Sequence, residues 1–148
     1  MKTKFSLLIV VSIILTSCAA PPNLTLNTQD AHFSDYKNGM AQVFFYRPCK
    51  ILGAARGVYV LEDSNVIGAL NCATYFVHQV LPGTYQYAAK DTLRGETYMT
   101  LTVEPNKQYY IKADLGWGFP DAYPYLEMLN QVDAKEIVKS LTYVIPEQ

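Results

Sequence analysis

The sequence predicts an all-β protein, a seven- to eight-stranded antiparallel sandwich with a short C-terminal helix. From Met40 onward, short β-branched and aromatic runs are separated by Gly, Pro, Asn and Asp, a spacing typical of sandwiches. All twelve tyrosines and the single tryptophan follow residue 17, whereas only three serines do, and this composition favours strands. Helical periodicity is confined to the end of the chain.

The first element is an export signal over residues 1–17. Lys2 and Lys4 precede an apolar run from Phe5 to Leu15, and small residues follow at once, which is the three-part pattern of a secretory signal. The alternative is an uncleaved anchor. However, the eleven residues of this run would form a helix of only ~16 Å, against the ~30 Å of hydrocarbon that a membrane span must cross.

Leu15, Thr16, Ser17 and Cys18 resemble the bacterial lipobox at all four positions. The resemblance implies cleavage before Cys18 and three acyl chains on that residue, enough for stable anchoring. Ala19, rather than Asp, follows the cysteine, which in Gram-negative lipoproteins implies sorting to the outer membrane. The alternative is an ordinary secretory cut after Ala20.

We expect a flexible tether over residues 18–37 and one domain over residues 38–148, because the region after Cys18 is rich in Pro, Asn and Thr with little apolar periodicity. Without Lys2 and Lys4, ten basic residues face thirteen acidic ones, a formal charge of −3. Such a chain has no basic stripe for nucleic acid or an anionic leaflet.

The first predicted strand, Met40 to Arg47, is apolar on both faces, as expected in the middle of a sheet. The next two strands form a hairpin that turns at Asp63-Ser64-Asn65, and the strand after them ends at Leu81-Pro82-Gly83, where Gly83 is expected to supply a positive φ. The remaining predicted strands span residues 83–90, 96–104, 108–115 and 123–132, several with clear alternation.

The predicted helix follows Val132. The run Asp133-Ala134-Lys135-Glu136 has the form of a capping box, in which Val132 would pack against Ile137 as a hydrophobic staple. Apolar residues recur at helical spacing beyond it, so a short helix should pack near the C-terminus.

Once Cys18 is assigned to lipid, Cys49 and Cys72 remain as a pair in a compartment where disulfides persist. A bridge would close a loop of roughly two dozen residues, which contributes on the order of 3 kcal/mol. Two separate buried thiols are the alternative. A metal site is not expected, because ligands at suitable spacing are missing and His78 is discounted.

Six short sequence segments, taken together in their order and spacing, resemble the DUF2846 family of bacterial lipoproteins. They are Ala41 to Pro48, Gly53 to Ala55, Val66 to Leu70, Tyr75-Phe76, Leu81 to Tyr85, and Lys107 to Tyr110. The resemblance covers residues 38–132, and the Pro-Gly-Thr-Tyr turn is also similar to PEGA and carboxypeptidase-regulatory-like modules. It implies a transthyretin-like, or prealbumin-like, sandwich and no catalytic residues. Cys49 and Cys72 depart from the family pattern, which points to a bridge peculiar to this member and to a turn at residue 72 without the family's usual glycine.

Candidate catalytic residues are few. The serines that follow the signal, Ser34, Ser64 and Ser140, lie in no Gly-x-Ser-x-Gly elbow. We assign His32 to the tether and His78 to a sheet face. Carboxylate pairs exist at Glu62-Asp63 and at Asp121 with Glu127, and scattered arginines (Arg47, Arg56 and Arg94) could bind an anion but are expected to be solvated.

The segment from Gly116 to Tyr125 is the most informative for binding. Trp117, Phe119, Tyr123 and Tyr125 sit in a Gly- and Pro-rich stretch, and such loops can present aromatic platforms to peptide or sugar. The alternative is that Trp117 and Phe119 fold back and plug one end of the sandwich.

Three functions remain open. The first is a non-enzymatic binding or structural module at the outer membrane, without cofactor or metal, that meets an envelope protein, peptide or polysaccharide. The second is an envelope hydrolase acting on peptidoglycan or another polymer through His78 and a nearby carboxylate. The third is a small-ligand carrier with a pocket between the sheets.

Overall fold

The computed structural model describes residue 33 and residues 37–51, 53–93, 95–118 and 122–147. Two sheets pack face to face, which confirms the predicted sandwich. The first has strand order β8-β7-β1-β4-β9 and the second β3-β2-β5-β6. The nine strands and the helix of the described residues are β1 (Ala41–Arg47), β2 (Val58–Glu62), β3 (Asn65–Leu70), β4 (Thr74–Val80), β5 (Gly83–Lys90), β6 (Glu96–Val103), β7 (Gln108–Gly116), β8 (Tyr123–Met128), α1 (Gln131–Lys139) and β9 (Thr142–Tyr143).

The sheets are not wholly antiparallel, so that part of the expectation is wrong. β1 pairs parallel with β7, and β9 pairs parallel with β4. The central position of β1 in the larger sheet explains its composition, because all seven of its residues are buried. Its apolar side chains are divided between the core that separates the two sheets and a second cluster on the outer face. Strands covered on both faces read as continuous apolar runs rather than as alternating ones.

The hairpin between β2 and β3 forms as predicted. Asp63 and Ser64 have φ values of 45° and 73°, and two consecutive positive φ values give the tight turn that suits the twist of a hairpin. The prediction for Gly83 is wrong, because Gly83 is not among the positive-φ glycines and begins β5 instead.

The space between the sheets is filled with large apolar side chains. Phe45 stacks on Phe76 at 5.3 Å between ring centroids, and its edge meets Tyr87 at 5.0 Å. Gly68 is required here, because a Cβ at this position would stand only 2.6 Å from Cε1 of Phe76. Such an interior leaves little room for a ligand between the sheets.

A second apolar cluster lies on the outer face of the larger sheet. Phe44 and Tyr110 face Ala134 and Val138 of α1. Phe33 stacks on Phe44 at 5.3 Å with nearly parallel rings. Phe33, which lies inside the predicted tether, therefore packs against the domain.

α1 starts earlier than its sequence suggests. Asn130 is the N-cap, and its side-chain oxygen accepts a hydrogen bond from the Val132 amide at 3.0 Å. Val132 is 72% exposed, so the predicted capping box at Asp133 and the hydrophobic staple onto Ile137 are both wrong. β8 consequently ends at Met128 rather than at Val132.

The chain beyond α1 covers one side of the sandwich. β9 extends the larger sheet at β4, where the Val144 amide donates to the Tyr75 carbonyl at 2.8 Å. The Glu147 amide then donates to the Ile67 carbonyl of β3 at 3.0 Å. This segment thus links neighbouring edges of the two sheets.

Candidate functional site

An open cleft of about 350 Å³ lies at the end of the larger sheet where β7 finishes and β8 begins. Its lining comprises three aromatic residues together with a lysine, a leucine and a glycine: Lys50, Leu115, Gly116, Trp117, Tyr123 and Tyr125. Three of the four predicted aromatic residues therefore surround one cleft. Phe119, the fourth, lies outside the described residues, as does Asp121.

Strand register explains why the two tyrosines share the cleft. Tyr123 pairs with Gly116 and Tyr125 with Asp114 across the antiparallel β7–β8 ladder. Alternate residues of a strand point to the same face, so both tyrosines project from the outer face of the sheet.

Gly116 provides the surface on which the Tyr123 ring lies. A Cβ at this position would stand 3.0 Å from Tyr123 Cζ and 3.2 Å from its hydroxyl oxygen, tighter than ordinary van der Waals contact. The glycine is therefore needed for a close approach between the ring and the backbone.

Trp117 is 81% exposed and Tyr123 is 48% exposed. Trp117 therefore does not plug the end of the sandwich, and that alternative is wrong for this residue. Large aromatic side chains with this much exposed area mark interaction sites when they are grouped.

A buried carboxylate lies beside the aromatic residues. The Asp114 side chain is 2% exposed and forms ion pairs with Lys50 Nζ at 3.0 Å and with Arg47 Nε at 3.5 Å. The hydrogen bond to Asp114 raises the pKa of Lys50, so the amine at the cleft is held as a cation. Sequence reasoning missed Lys50, because its role depends on Asp114 of a distant strand.

A second cation lies under Tyr125. The Lys112 ammonium is 5.4 Å from the centroid of the Tyr125 ring and forms an ion pair with Glu127. Burial lowers the pKa of Lys112, but its hydrogen bonds to Glu127 and Tyr125 outweigh burial and raise it. Tyr46 lies close to this group, and burial raises its pKa to about 12.

Arg47 organises the loop between β1 and β2 and is not solvated, contrary to expectation. Its guanidinium, 2% exposed, donates to the carbonyl oxygens of Gly53 at 2.8 Å, Leu70 at 3.4 Å and Arg56. Burial lowers its pKa, although Asp114 opposes that effect.

Arg56 forms its own ion pair with buried Asp91. The predicted anion-binding arginines, apart from Arg94 outside the described residues, are therefore engaged in internal pairs.

The predicted disulfide between Cys49 and Cys72 is confirmed, with a Cα–Cα distance of 4.6 Å. It ties the residue before Lys50 to the turn that precedes β4. In that turn Ala73 has a φ of 58°, and the Asn71 amide donates to the Thr74 hydroxyl at 3.0 Å. The turn therefore forms without the glycine that the resemblance implied at residue 72.

His78 has the carboxylate partner that a hydrolase would need, but it is far from the cleft. Its Nε2 is 2.7 Å from Glu62 Oε2, and its ring meets the edge of Tyr87. His78 pairs with Val43 in the sheet, whereas Arg47 beside the cleft pairs with Thr74. The pair thus bridges the two sheets toward the opposite end of the sandwich.

The remaining candidate residues have structural roles or lie outside the described part of the chain. Ser64 is in the β2–β3 turn, and the Ser140 hydroxyl donates to the Ile137 carbonyl at 2.7 Å as part of the C-cap. Cys18, His32 and Ser34 fall outside the described residues. Over the ranges that are described, His, Cys, Asp and Glu form no group of three or more that could hold a metal ion.

Comparisons with protein-family models, with curated proteins and with solved structures find no match to this chain. The resemblance to the DUF2846 family stays a prediction. Within the described ranges, the structure contains no helix long and apolar enough to span a membrane.

Proposed function

We propose that this chain is a bacterial envelope lipoprotein whose β-sandwich is a non-catalytic binding module, with the aromatic cleft as its binding site. The observation that carries the proposal is the grouping of Trp117, Tyr123 and Tyr125 around one open cleft. A concave site lined by aromatic side chains and a few polar groups is the usual form of a binding site.

Anchoring is the second part of the proposal and rests on the sequence. The lipobox-like run ending at Cys18 supports acylation, and Ala19 supports sorting to the outer membrane with the domain facing the periplasm. Acylation at more than one position would hold the domain stably at the bilayer. The cleft would then sample ligands close to that membrane.

A binding role is favoured over catalysis by the groups around the cleft. General acid–base catalysis needs a titratable group poised near the operating pH. Lys50 has a raised pKa, and the Arg47 guanidinium is occupied by carbonyl oxygens and Asp114. These groups are suited to holding charge rather than to moving protons.

A hydrolase is the second candidate, favoured by one observation, the 2.7 Å contact between His78 and Glu62. His78 lies between the sheets and against the Tyr87 ring, a position better suited to joining the two sheets than to reaching a polymeric substrate. His78→Gln should leave ligand capture at the cleft unchanged. Loss of a hydrolytic activity in this variant, with an intact fold, would favour the hydrolase. The small-ligand carrier is disfavoured by the packed aromatic core between the sheets.

Acylation can be tested by labelling cells with an alkyne fatty acid and fractionating their membranes. We expect the chain to carry label in the outer membrane, and Cys18→Ala to lose both label and membrane association. An unlabelled wild-type chain, with an intact mass that starts at residue 21, would contradict the anchoring.

The binding role can be tested by placing a photo-crosslinking amino acid at Tyr123 or, as a matched control, at Tyr98. Tyr98 is similarly exposed, 56% against 48%, but lies on β6 of the other sheet. We expect adducts from position 123 and few from position 98 in intact cells. Equal adducts, or none at either position, would contradict the assignment of the cleft.

A further inference from the structure

We infer that the cleft recognises an acidic saccharide, with a sugar ring against Trp117 and Tyr123 and an anionic substituent on Lys50. This inference rests on the proposed function and specifies the ligand of the same site. It combines three features of the described residues: the open aromatic surface, the charge arrangement around Asp114, and a proline in the neighbouring edge strand.

The charge arrangement selects an anion. Arg47 and Lys50 both face Asp114, and Lys112 faces Glu127, so these three cations and two anions leave one positive charge. Arg47 is buried, whereas the Lys50 side chain is 53% exposed. An ammonium has three N–H donors, and the contact with Asp114 Oδ2 uses one of them, so Lys50 can also donate to a ligand carboxylate.

The aromatic surface selects a ring that presents a face of polarised C–H groups. Aromatic faces carry the negative part of the ring quadrupole, and the axial C–H groups of a pyranose are weakly positive. Trp117 offers such a face almost fully to solvent. The rings of Tyr123 and Tyr125, 6.4 Å apart and tilted, extend this surface within the same cleft.

An extended peptide is a poorer fit. Peptides that bind beside a sheet usually add a strand to its edge and need a row of free backbone N–H groups. The edge strand beside the cleft is β8, and Pro124 stands in it between the two tyrosines. Proline has no N–H and is typical of edges that resist strand addition.

Trp117 makes the test direct, because it is the only tryptophan in the chain and lines the cleft. The purified lipoprotein in detergent would be titrated with galacturonate oligomers, with their methyl esters, and with an acidic peptide, poly-glutamate of matched charge. The ester keeps every sugar ring and removes only the charge. We expect a saturable change in tryptophan emission with the acid, roughly two- to fivefold weaker binding of the ester, as for an exposed ion pair, and no saturation with the peptide.

Variants assign the preference to particular residues. Lys50→Met should remove the acid-over-ester preference, and Lys50→Arg should keep it, so the pair remains informative if the first variant folds poorly. The matched control is Lys90→Met, since Lys90 is similarly exposed, 48%, and pairs with Glu96 at 2.9 Å on the other sheet. Tyr123→Ala should weaken binding of both the acid and the ester.

The outcomes separate this inference from the proposed function. Equal binding of acid and ester, an unchanged preference in Lys50→Met, or saturation by poly-glutamate would overturn the acidic saccharide. If crosslinks at position 123 persisted in that case, the binding module would stand with a different ligand. Absence of both the tryptophan response and the crosslinks would overturn both.

Discussion

Replacing Arg47 with Met should destabilise the fold far more than replacing an exposed lysine. The variant keeps an unbranched apolar side chain but removes the guanidinium, with its charge and its N–H donors. Arg47 is one of two cationic partners of buried Asp114, and its guanidinium also holds the carbonyl oxygens of Gly53 and Leu70.

The size of the effect follows from those contacts. Breaking a buried ion pair by removing one partner typically costs about 3–5 kcal/mol. Asp114 would retain Lys50 at 3.0 Å, which places the expected loss near the lower end, about 3 kcal/mol. With a slope of roughly 1.5 kcal/mol per molar, the midpoint of urea unfolding should fall by about 2 M.

The assay is urea unfolding of the wild type and the variant, followed by far-ultraviolet circular dichroism. Lys139→Met is the control, because Lys139 pairs with Glu136 at 2.6 Å on the exposed surface of α1, and such pairs contribute about 0–1 kcal/mol. Adding Asp114→Asn to Arg47→Met should cost less than the sum of the two single changes, since it removes the poorly paired carboxylate. A loss below about 1 kcal/mol for Arg47→Met, or strict additivity in the double variant, would refute the reasoning.

Three further predictions concern the disulfide, alkaline stability and the cleft. Reduction of the disulfide, or replacement of Cys49 and Cys72 by Ser, should lower the free energy of unfolding by about 3 kcal/mol. The reason is that the two cysteines are 23 positions apart, and the unfolded chain gains entropy when this loop is no longer closed. Urea unfolding with and without reductant measures this, and equal midpoints would contradict it. Burial raises the pKa of Tyr46 to about 12 from 10.0, so the unfolded chain loses this proton at a lower pH than the folded one. The free energy of unfolding should therefore fall as pH rises from about 10 toward 12. Tyr46→Phe should flatten that fall in melting curves recorded at alkaline pH, and an unchanged slope would argue against it. Gly116→Ala should displace the Tyr123 ring, whose Cζ would be 3.0 Å from the new Cβ. Saccharide binding, measured by tryptophan emission, should weaken several-fold. Unaltered binding would show that this contact does not shape the site.

Strands and turns were predictable where burial or backbone conformation leaves a local pattern in the residues. β1 shows this, as do the alternating residues of β6 and the turn at Asp63-Ser64. The direction of pairing was not predictable. The parallel contact between β1 and β7 joins Gln42 to Gln108, and neither strand carries a local signal of its neighbour's orientation.

The helix start shows a competition between two local signals. Asp133 with Glu136 matched a capping box, but Asn130 begins the helix instead. The earlier start allows Ala134 and Val138 to be buried against the sheet. Tertiary packing therefore selected between two adequate caps, a choice that sequence spacing alone does not determine.

The cleft was predictable in its aromatic half and not in its charged half. Trp117, Tyr123 and Tyr125 stood out as aromatics in a Gly- and Pro-rich stretch. Lys50 looked like an ordinary surface lysine, because its partner Asp114 lies 64 positions later and reaches it only once β1 and β7 are paired. Disulfide pairing was accessible from composition, since only two cysteines remain after Cys18.

The docking of Phe33 on Phe44 sets how far the domain could travel from a membrane. With acylation at Cys18, the lipid would stand fifteen positions before Phe33, whose ring stacks on Phe44, and a fully extended chain of that length spans at most roughly 50 Å. The cleft would work within a shallow layer next to the bilayer, and a ligand fixed deeper in the envelope would be out of reach. Lengthening the segment between Cys18 and Phe33 would widen that layer without altering the cleft.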